Sequence, residues 1–483
     1  MIGTARIPVA AAMTAGKSVM LWRVSTLALA LSLAGCVTQG PDHTPLAQTQ
    51  AKATGLSDAS TALVPTQWWQ SFGDAELDQV ITQALAGQPT LAVARARVTR
   101  MLALADVNQS TTFPQVSVGA DVTRQRYTAN GLYPPPLAGN VYNSGTAQLG
   151  VAWAPDLFGQ HTAEIASALN QAQAAQADAH AAAVSLAAQV CRGYITLARL
   201  VAQRDVAQYA LAQRQKFSTL TTERVKAGLD TQLELQQAEV ALAQARGQAE
   251  MLNEQINVVR HQLAALAGQG VDAYAGLNPD LTRLRLEDMP LALGTDLLGR
   301  RADVVAARWR VEAAVQDVQS ARMQFYPNIN ISAFAGVSAI GAGKLFESGS
   351  GQAGISPAIR LPLFDGGRLR AQLKGRQGDL DIAIASYNGM VLDAVKEASD
   401  AISSSQSLQR QQQDEGKALA SAQAVYDIHV ARYSAGLTNQ LAVLNVESQW
   451  LAQRRSSIDL RARELDNRVA LMKSLGGGWR DAR

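Results

Sequence analysis

"YPNINISAFAGVSAIG", residues 326–341, sends its side chains alternately to two faces. Ile329, Ile331, Ala333, Ala335 and Val337 share one face; Asn328, Asn330, Ser332, Phe334, Gly336 and Ser338 share the other. Strict alternation predicts a β-strand with one apolar side. The residues before it carry a helical pattern, which the Tyr326-Pro327 pair ends because proline biases its predecessor toward extended backbone. An apolar sheet face must rest on something, and what it rests on decides the fold.

Three more segments follow the same rule. Val116, Val118, Ala120 and Val122 stand opposite Gln115, Ser117, Gly119, Asp121 and Thr123. Ala147, Leu149, Val151 and Trp153 stand opposite Gln148, Gly150 and Ala152. Ile355, Ile359, Leu361 and Leu363 stand opposite Gln352, Ser356 and Arg360. The predicted strands are about 115–124, 143–154, 328–339 and 352–363. Short strands, apolar outward and polar inward, are the pattern of an outer-membrane barrel. A soluble sheet would need a second layer, and the rest of the chain offers only long amphipathic helix. Four strands cannot close a barrel, and open edges are not tolerated in lipid. Several copies must therefore pool their strands in a ring. Two copies give eight strands and little lumen; three give twelve and a water-filled hole.

The chain also repeats itself. "AVARARVTRMLALADVNQSTTFPQVSVGA" (92–120) aligns with "VAARWRVEAAVQDVQSARMQFYPNINISAFAG" (305–336), matching Arg95 to Arg308 and Phe113-Pro114 to Tyr326-Pro327. "LGVAWAPDLFGQ" (149–160) answers "ISPAIRLPLFDGG" (355–367), and "ERVKAGLDTQLELQQAEV" (223–240) answers "ARYSAGLTNQLAVLNVES" (431–448). Each copy reads helix, two strands, a very long helix, a turn at Ala-Gly and a returning helix. The long tracts, 160–226 and 366–434, are each about 100 Å at 1.5 Å per residue. Such helices need neighbours along their whole length, as in a coiled-coil array. The predicted division is 1–35 signal peptide, 36–65 lipidated linker, 66–275 first repeat and 276–483 second repeat.

At the N-terminus, "MLWRVSTLALALSLAGC" (20–36) places Arg23 before an apolar stretch and small residues, the layout of a secretory signal. "LAGC" at 33–36 looks like the lipobox of bacterial lipoproteins, which implies cleavage before Cys36 and acylation of that cysteine. Val37 and Thr38 lack the aspartate that retains lipoproteins at the inner membrane, so the resemblance implies an outer-membrane destination. An ordinary signal peptide containing a cysteine is the alternative. Losing residues 1–35 removes Arg6, Lys17 and Arg23, leaving 40 bases (43 less three) against 40 acids. That balance argues against nucleic acid as a partner. Past Cys36 only Cys191 remains, so no disulfide joins ordinary thiols of the mature chain.

With these features together, the sequence resembles the TolC-like outer-membrane efflux factors, in their OprM-like or NodT-like lipoprotein branch. The carriers are "WWQSFGDAELDQVITQAL" (68–85), the aromatic-Pro strand starts at 113 and 326, "LF" at 157–158 and 363–364, "RYSAG" at 432–436 and "LGGGW" at 475–479. The resemblance implies a mixed membrane protein: a homotrimer forming a 12-stranded barrel, four strands per chain, continued by a long periplasmic α-helical barrel. Implied partners are a periplasmic adaptor (membrane fusion) protein, an inner-membrane RND-type pump and outer-membrane lipid. Helical stretches at about 66–90, 275–300 and 470–483 would belt the tunnel. The tunnel closes at tips that fall at Gly228 and Gly436. The apolar gate position falls on Leu441, and the acidic one on Asn445, a departure that removes the expected carboxylate; Ser448 stands where a basic residue is usual. Asp230, Glu234 or Glu447 could substitute for the missing acid. A second departure is "RRAD" (300–303), where Ala302 replaces a common proline.

Signals for an enzyme are missing. His43, His161, His180, His261 and His429 show no metal-ligand spacing, no G-x-S-x-G occurs, and "GAGK" (341–344) lacks the further glycine and hydroxyl of a phosphate loop. No cofactor is implied. The expected function is a passive, gated exit duct for small molecules in a tripartite efflux system. The alternatives are the outlet of a type I protein-secretion system and a lipid-anchored periplasmic coiled-coil scaffold without a pore.

Overall fold

The computed structural model describes residues 43–49, 64–285 and 297–479, so Cys36 and the predicted signal lie outside the described residues. A short 3-10 helix, Trp68–Phe72, leads into α1 (Ala75–Gly87), α2 (Pro89–Ser110), β1 (Gln115–Arg126), β2 (Val141–Trp153), α3 (Gln160–Lys226) and α4 (Gln232–Leu266). After a single helical turn, Leu297–Arg300, come α5 (Ala302–Met323), β3 (Asn328–Ile340), β4 (Gly351–Arg360), α6 (Arg368–Ser434) and α7 (Gln440–Ser474).

The duplication is written into these boundaries. α2 and α5 each have 22 residues, α3 and α6 each have 67, and α4 and α7 each have 35. Compactness follows a different division, because each of two units draws on both repeats. One unit comprises Met101–Ala172 and Arg310–Ile384 with the described residues up to Ala47; the other comprises the remainder.

The first unit holds one antiparallel sheet in the order β1-β2-β3-β4. Its register puts the apolar sets of all four strands on one face: Val116, Val151, Ala333 and Ile355 form one row, and Val118, Leu149, Ala335 and Ala353 the next. Directly paired residues share a face, so the alternation of each strand adds to one continuous apolar surface. Among the described residues nothing covers it. Val118, Val122, Ile355 and Ile359 are 73–79% exposed. From Ile329 to Ala339 the apolar set runs about 34 Å along β3, and at the roughly 40° tilt of such barrels it rises about 26 Å, the height of an apolar membrane band.

The other face is polar and internally bonded. Thr146 and Ser338 hydroxyls lie 3.3 Å apart, and the Gln352 amide donates to Gln148 Oε1 at 3.3 Å. Those glutamines sit on either side of Gly336, where a Cβ would fall 2.2 Å from the Ala147 carbonyl. Phe334, a large apolar side chain on that face, lies over Gly354, whose missing Cβ would meet its ring at 2.8 Å.

Two expectations are corrected. β4 ends at Arg360, so Leu361 and Leu363 lie beyond the strand rather than on its apolar face; Pro362 has no N–H with which to continue a ladder. Residues 275–300 are not a helix where described. Asp280 caps a turn by accepting from the Thr282 N–H and hydroxyl, and only Leu297–Arg300 is helical.

The second unit is cored by the entry segment. Trp68, Phe72, Leu77 and Ile81 pack with Tyr194, Leu197, Leu263 and Leu465. Asp74 caps α1 through the Glu76 and Leu77 N–H groups and also accepts from the Tyr194 hydroxyl at 3.0 Å. A stretch of α3 is apolar enough to cross a membrane by composition, yet Ala188, Cys191, Tyr194 and Ile195 within it are buried in this core. Burial pushes the Cys191 thiol well above its usual range. At "RRAD", α5 begins at Ala302; buried Arg301 grips Asp303 at 2.7 and 3.1 Å and Glu397 at 2.8 Å. Gly476, Gly477 and Gly478 all have positive φ and are pressed against Arg300, Val184 and Pro65.

Gly477→Ala should therefore destabilise the protein by roughly 1–3 kcal/mol, through a left-handed backbone and a Cβ placed 2.4 Å from Val184. Gly276→Ala, with nothing within 4 Å, should not. Thermal unfolding of the two variants checks this, and equal shifts would contradict it.

Candidate functional site at the helix tips

Both long helices end in the same turn. Gly228 and Gly436 each have φ +73, and the Leu229 and Leu437 N–H groups reach back to Arg224 and Arg432 carbonyls at 2.9 and 2.8 Å. This 6→1 bond is the Schellman stop, which needs a left-handed residue that glycine supplies without strain. The returning helices are then capped. Thr231 accepts from the Leu233 N–H at 3.2 Å while Glu234 accepts from the Thr231 N–H at 2.9 Å; Asn439 accepts from the Ala442 N–H at 2.9 Å.

Identical turns place repeat-related leucines alike. Leu229 and Leu437 sit in the turns, and Leu233 and Leu441 open the returning helices; all four are exposed. Leu441 is 58% exposed, and Asn445 is exposed one turn further along α7. A groove of about 1190 Å³ brings Asp230, Leu441 and Asn445 together with Arg214, Phe217 and Tyr433. All three residues expected at the gate thus border one space.

The acids at the first tip are already engaged. Arg224 donates to Asp230 twice, at 2.8 and 3.0 Å, and this guanidinium holds the Asp230 carboxyl below the usual range. Glu234 lines the groove, but its hydrogen bonds to Thr231 hold its carboxyl low. The second tip lacks the acid: Thr438 stands where the first has Asp230, so Arg432 has no counterpart of the Arg224 partner, and the Tyr433 hydroxyl donates to Gln440 Oε1 at 3.1 Å. With Asn445 and Ser448 also neutral, the groove has little chemistry for holding a divalent cation, which needs several converging oxygens of a carboxylate-rich cage.

Glu447 is placed elsewhere. Its side chain is only 3% exposed and accepts from Arg214 Nη1 at 2.8 Å, while Arg214 Nη2 donates to the Ser448 hydroxyl at 3.1 Å. Burial raises the Glu447 carboxyl, and Arg214 opposes that shift. Beside the pair, Tyr426 stacks on Trp450 at 5.0 Å and Tyr209 meets the same ring edge-on at 5.6 Å. This cluster joins α3, α6 and α7 and was not singled out from the sequence. The signal was present: Glu447, Trp450 and Leu451 follow helical spacing on one face. Cys36, the expected lipidation site, lies outside the described residues. Among the described residues no group of three or more His, Cys, Asp or Glu side chains is placed to hold a metal.

The sequence profile described as outer membrane efflux protein matches residues 80–269 and 293–477, one match in each repeat. The fusaric acid resistance protein FusA of Burkholderia cepacia is 36% identical over 360 residues, covering 72% of this chain and 68% of its own. The multidrug resistance outer membrane protein MdtP of Shigella flexneri is 31% identical over 469 residues, covering 93% and 95%. Among solved structures, the outer membrane protein VceC of Vibrio cholerae is 33% identical with a TM-score of 0.79, covering 86% of this chain and 99% of that one.

Arg214→Ala should unmask the burial of Glu447. Without its cation the folded-state carboxyl rises further above its unfolded value, so the folded chain gains relative stability as pH falls through that raised value. The expected cost is about 3–5 kcal/mol at neutral pH, shrinking in mild acid. Unfolding temperatures at the two pH values check this; a pH-independent deficit would contradict it.

Proposed function

Because the chain belongs to the outer membrane efflux protein family and is an outer-membrane efflux channel reaching into the periplasm, we propose that three copies assemble into one passive, gated conduit. The observation that carries this reading is the uncovered apolar face running across all four strands. Within the chain that face ends in two open edges, β1 and β4. In lipid an unpaired edge costs several kcal/mol per orphaned backbone group, so β4 of one copy pairs with β1 of the next. Three copies give twelve strands around a polar lumen.

The helical part meets a periplasmic adaptor, and an inner-membrane RND-type pump supplies the energy. Acyl chains on Cys36 add a second hold on the membrane, since one lipid chain alone binds only reversibly. The tips form the gate: Leu441 supplies an apolar constriction, Asn445 a neutral ring below it, and the Arg224–Asp230 pair stiffens the neighbouring tip. The cargo is small solutes, drugs or toxic compounds; relatives named for multidrug and fusaric acid resistance favour this over protein secretion.

Leu441→Ser should open the resting constriction and make cells several-fold more sensitive to large antibiotics that the outer membrane normally excludes. Unchanged sensitivity, with the variant present at normal levels, would remove Leu441 from the gate. A Cys36→Ala chain carrying a conventional signal peptide should still require detergent and run as a trimer. A soluble monomer or dimer would instead mean that lipidation was its only membrane contact.

A further inference from the structure

The apolar face has a defined outer rim. Val122 on β1 pairs with Gly145 on β2, which pairs with Ala339 on β3, and Leu345 packs over Gly145 at 3.6 Å from where its Cβ would stand. The next row outward on the same face is Arg124, Asn143 and Gly341, with the Gly341 N–H bonded to the Asn143 carbonyl at 2.6 Å. One row further, Arg126 pairs with Val141. The β1–β2 ladder is unbroken from Gln115 to Arg126, so no bulge turns these arginines to the polar side. They lie at the hairpin end of the sheet, away from the helices, which is the exterior end of an outer-membrane channel.

Both arginines are exposed. Arg126 Nε donates to the Gly139 carbonyl at 3.2 Å, and no ion pair among the described residues involves either side chain. Asp121 is on the opposite face, and Glu347 with Lys344 belongs to the β3–β4 loop. Two guanidinium groups one to two rows above an apolar band stand at headgroup depth, where a charge costs little. Planar forks of N–H donors match phosphate oxygens.

We propose that Arg124 and Arg126 form a lipid-facing site for the sugar-linked phosphates of the phosphorylated glycolipid that makes up the outer leaflet. The inference rests on the barrel reading above.

The test uses full-length trimer in detergent, titrated with diphosphoryl lipid A, monophosphoryl lipid A or phosphatidylglycerol, with bound lipid counted by native mass spectrometry. The double variant Arg124→Gln/Arg126→Gln should weaken diphosphoryl lipid A binding on the order of tenfold or more. Monophosphoryl lipid A should bind the unaltered protein less well. Arg124→Lys/Arg126→Lys, which keeps the charge without the fork, should recover only part of that binding, and Arg360→Gln, on the polar face at the helix end, should change nothing. Unaltered binding by the double glutamine variant would overturn the site. An equal loss of phosphatidylglycerol would overturn its assignment to the outer leaflet. The same spectra report the trimer mass, so failure of the barrel reading is seen separately from failure of this one.

Discussion

The interaction on which the structure depends is one the isolated chain cannot satisfy: a sheet whose whole apolar face lies open. Four strands in register place valine, isoleucine, leucine and alanine on one side. At about 25 cal/mol per Å² of apolar surface, leaving such a face in water is a heavy penalty. Lipid removes that penalty and imposes another, because backbone groups on a sheet edge then have no solvent to bond. The face calls for a membrane, the membrane calls for closed edges, and closure calls for further copies. Oligomerisation follows from the hydrogen-bonding needs of the two edge strands.

The helices answer a different constraint. Each 67-residue helix exceeds what one compact unit can support, and the compact units accordingly take segments from both repeats. Alanine does much of the packing: Ala168, Ala172, Ala174 and Ala177 are buried along α3, and Ala394, Ala398 and Ala401 along α6. Small side chains let backbones approach closely and lose almost no rotamer entropy on burial. Where a larger anchor is needed it comes from the entry segment, whose tryptophans and Phe72 fill the core that α1, α3, α4 and α7 share.

Much of this was legible from local chemistry. Alternation gave the strands because a pleat has a period of two, and the register later aligned all four apolar sets on the face their sequences implied. The glycine turns at 228 and 436 were legible because they terminate helices by a mechanism that needs a particular residue. The end of β4 is not legible in the spacing, because apolar residues continue through Leu361 and Leu363 while Pro362 withholds the donor a ladder requires. At the tips, sequence order indicated Asp230, Leu441 and Asn445 but not their partners. That Arg224 claims Asp230, and that Arg214 rather than solvent faces Glu447, depends on which helices are neighbours, and that is settled far from either residue in the chain.

The tips combine strong and weak holds in an order that suits a gate. Farther from the turns, a nearly solvent-free ion pair and a stacked tyrosine–tryptophan cluster tie α3, α6 and α7. A buried pair of this kind is strongly resistant to losing one partner, since the other charge would be stranded. At the turns themselves the holds are an exposed Arg224–Asp230 pair and a single neutral Tyr433–Gln440 bond. Exposed pairs are screened by solvent and contribute little, and a single neutral hydrogen bond is also a weak hold. A docking partner that replaced those contacts would meet little resistance at the turns and much resistance above them. On the proposed gating, the tips therefore part while the helices behind them keep their register. On the same proposal a neutral ring at Asn445 would leave no carboxylates at that position to repel one another, and the resting closure would fall to the exposed leucines.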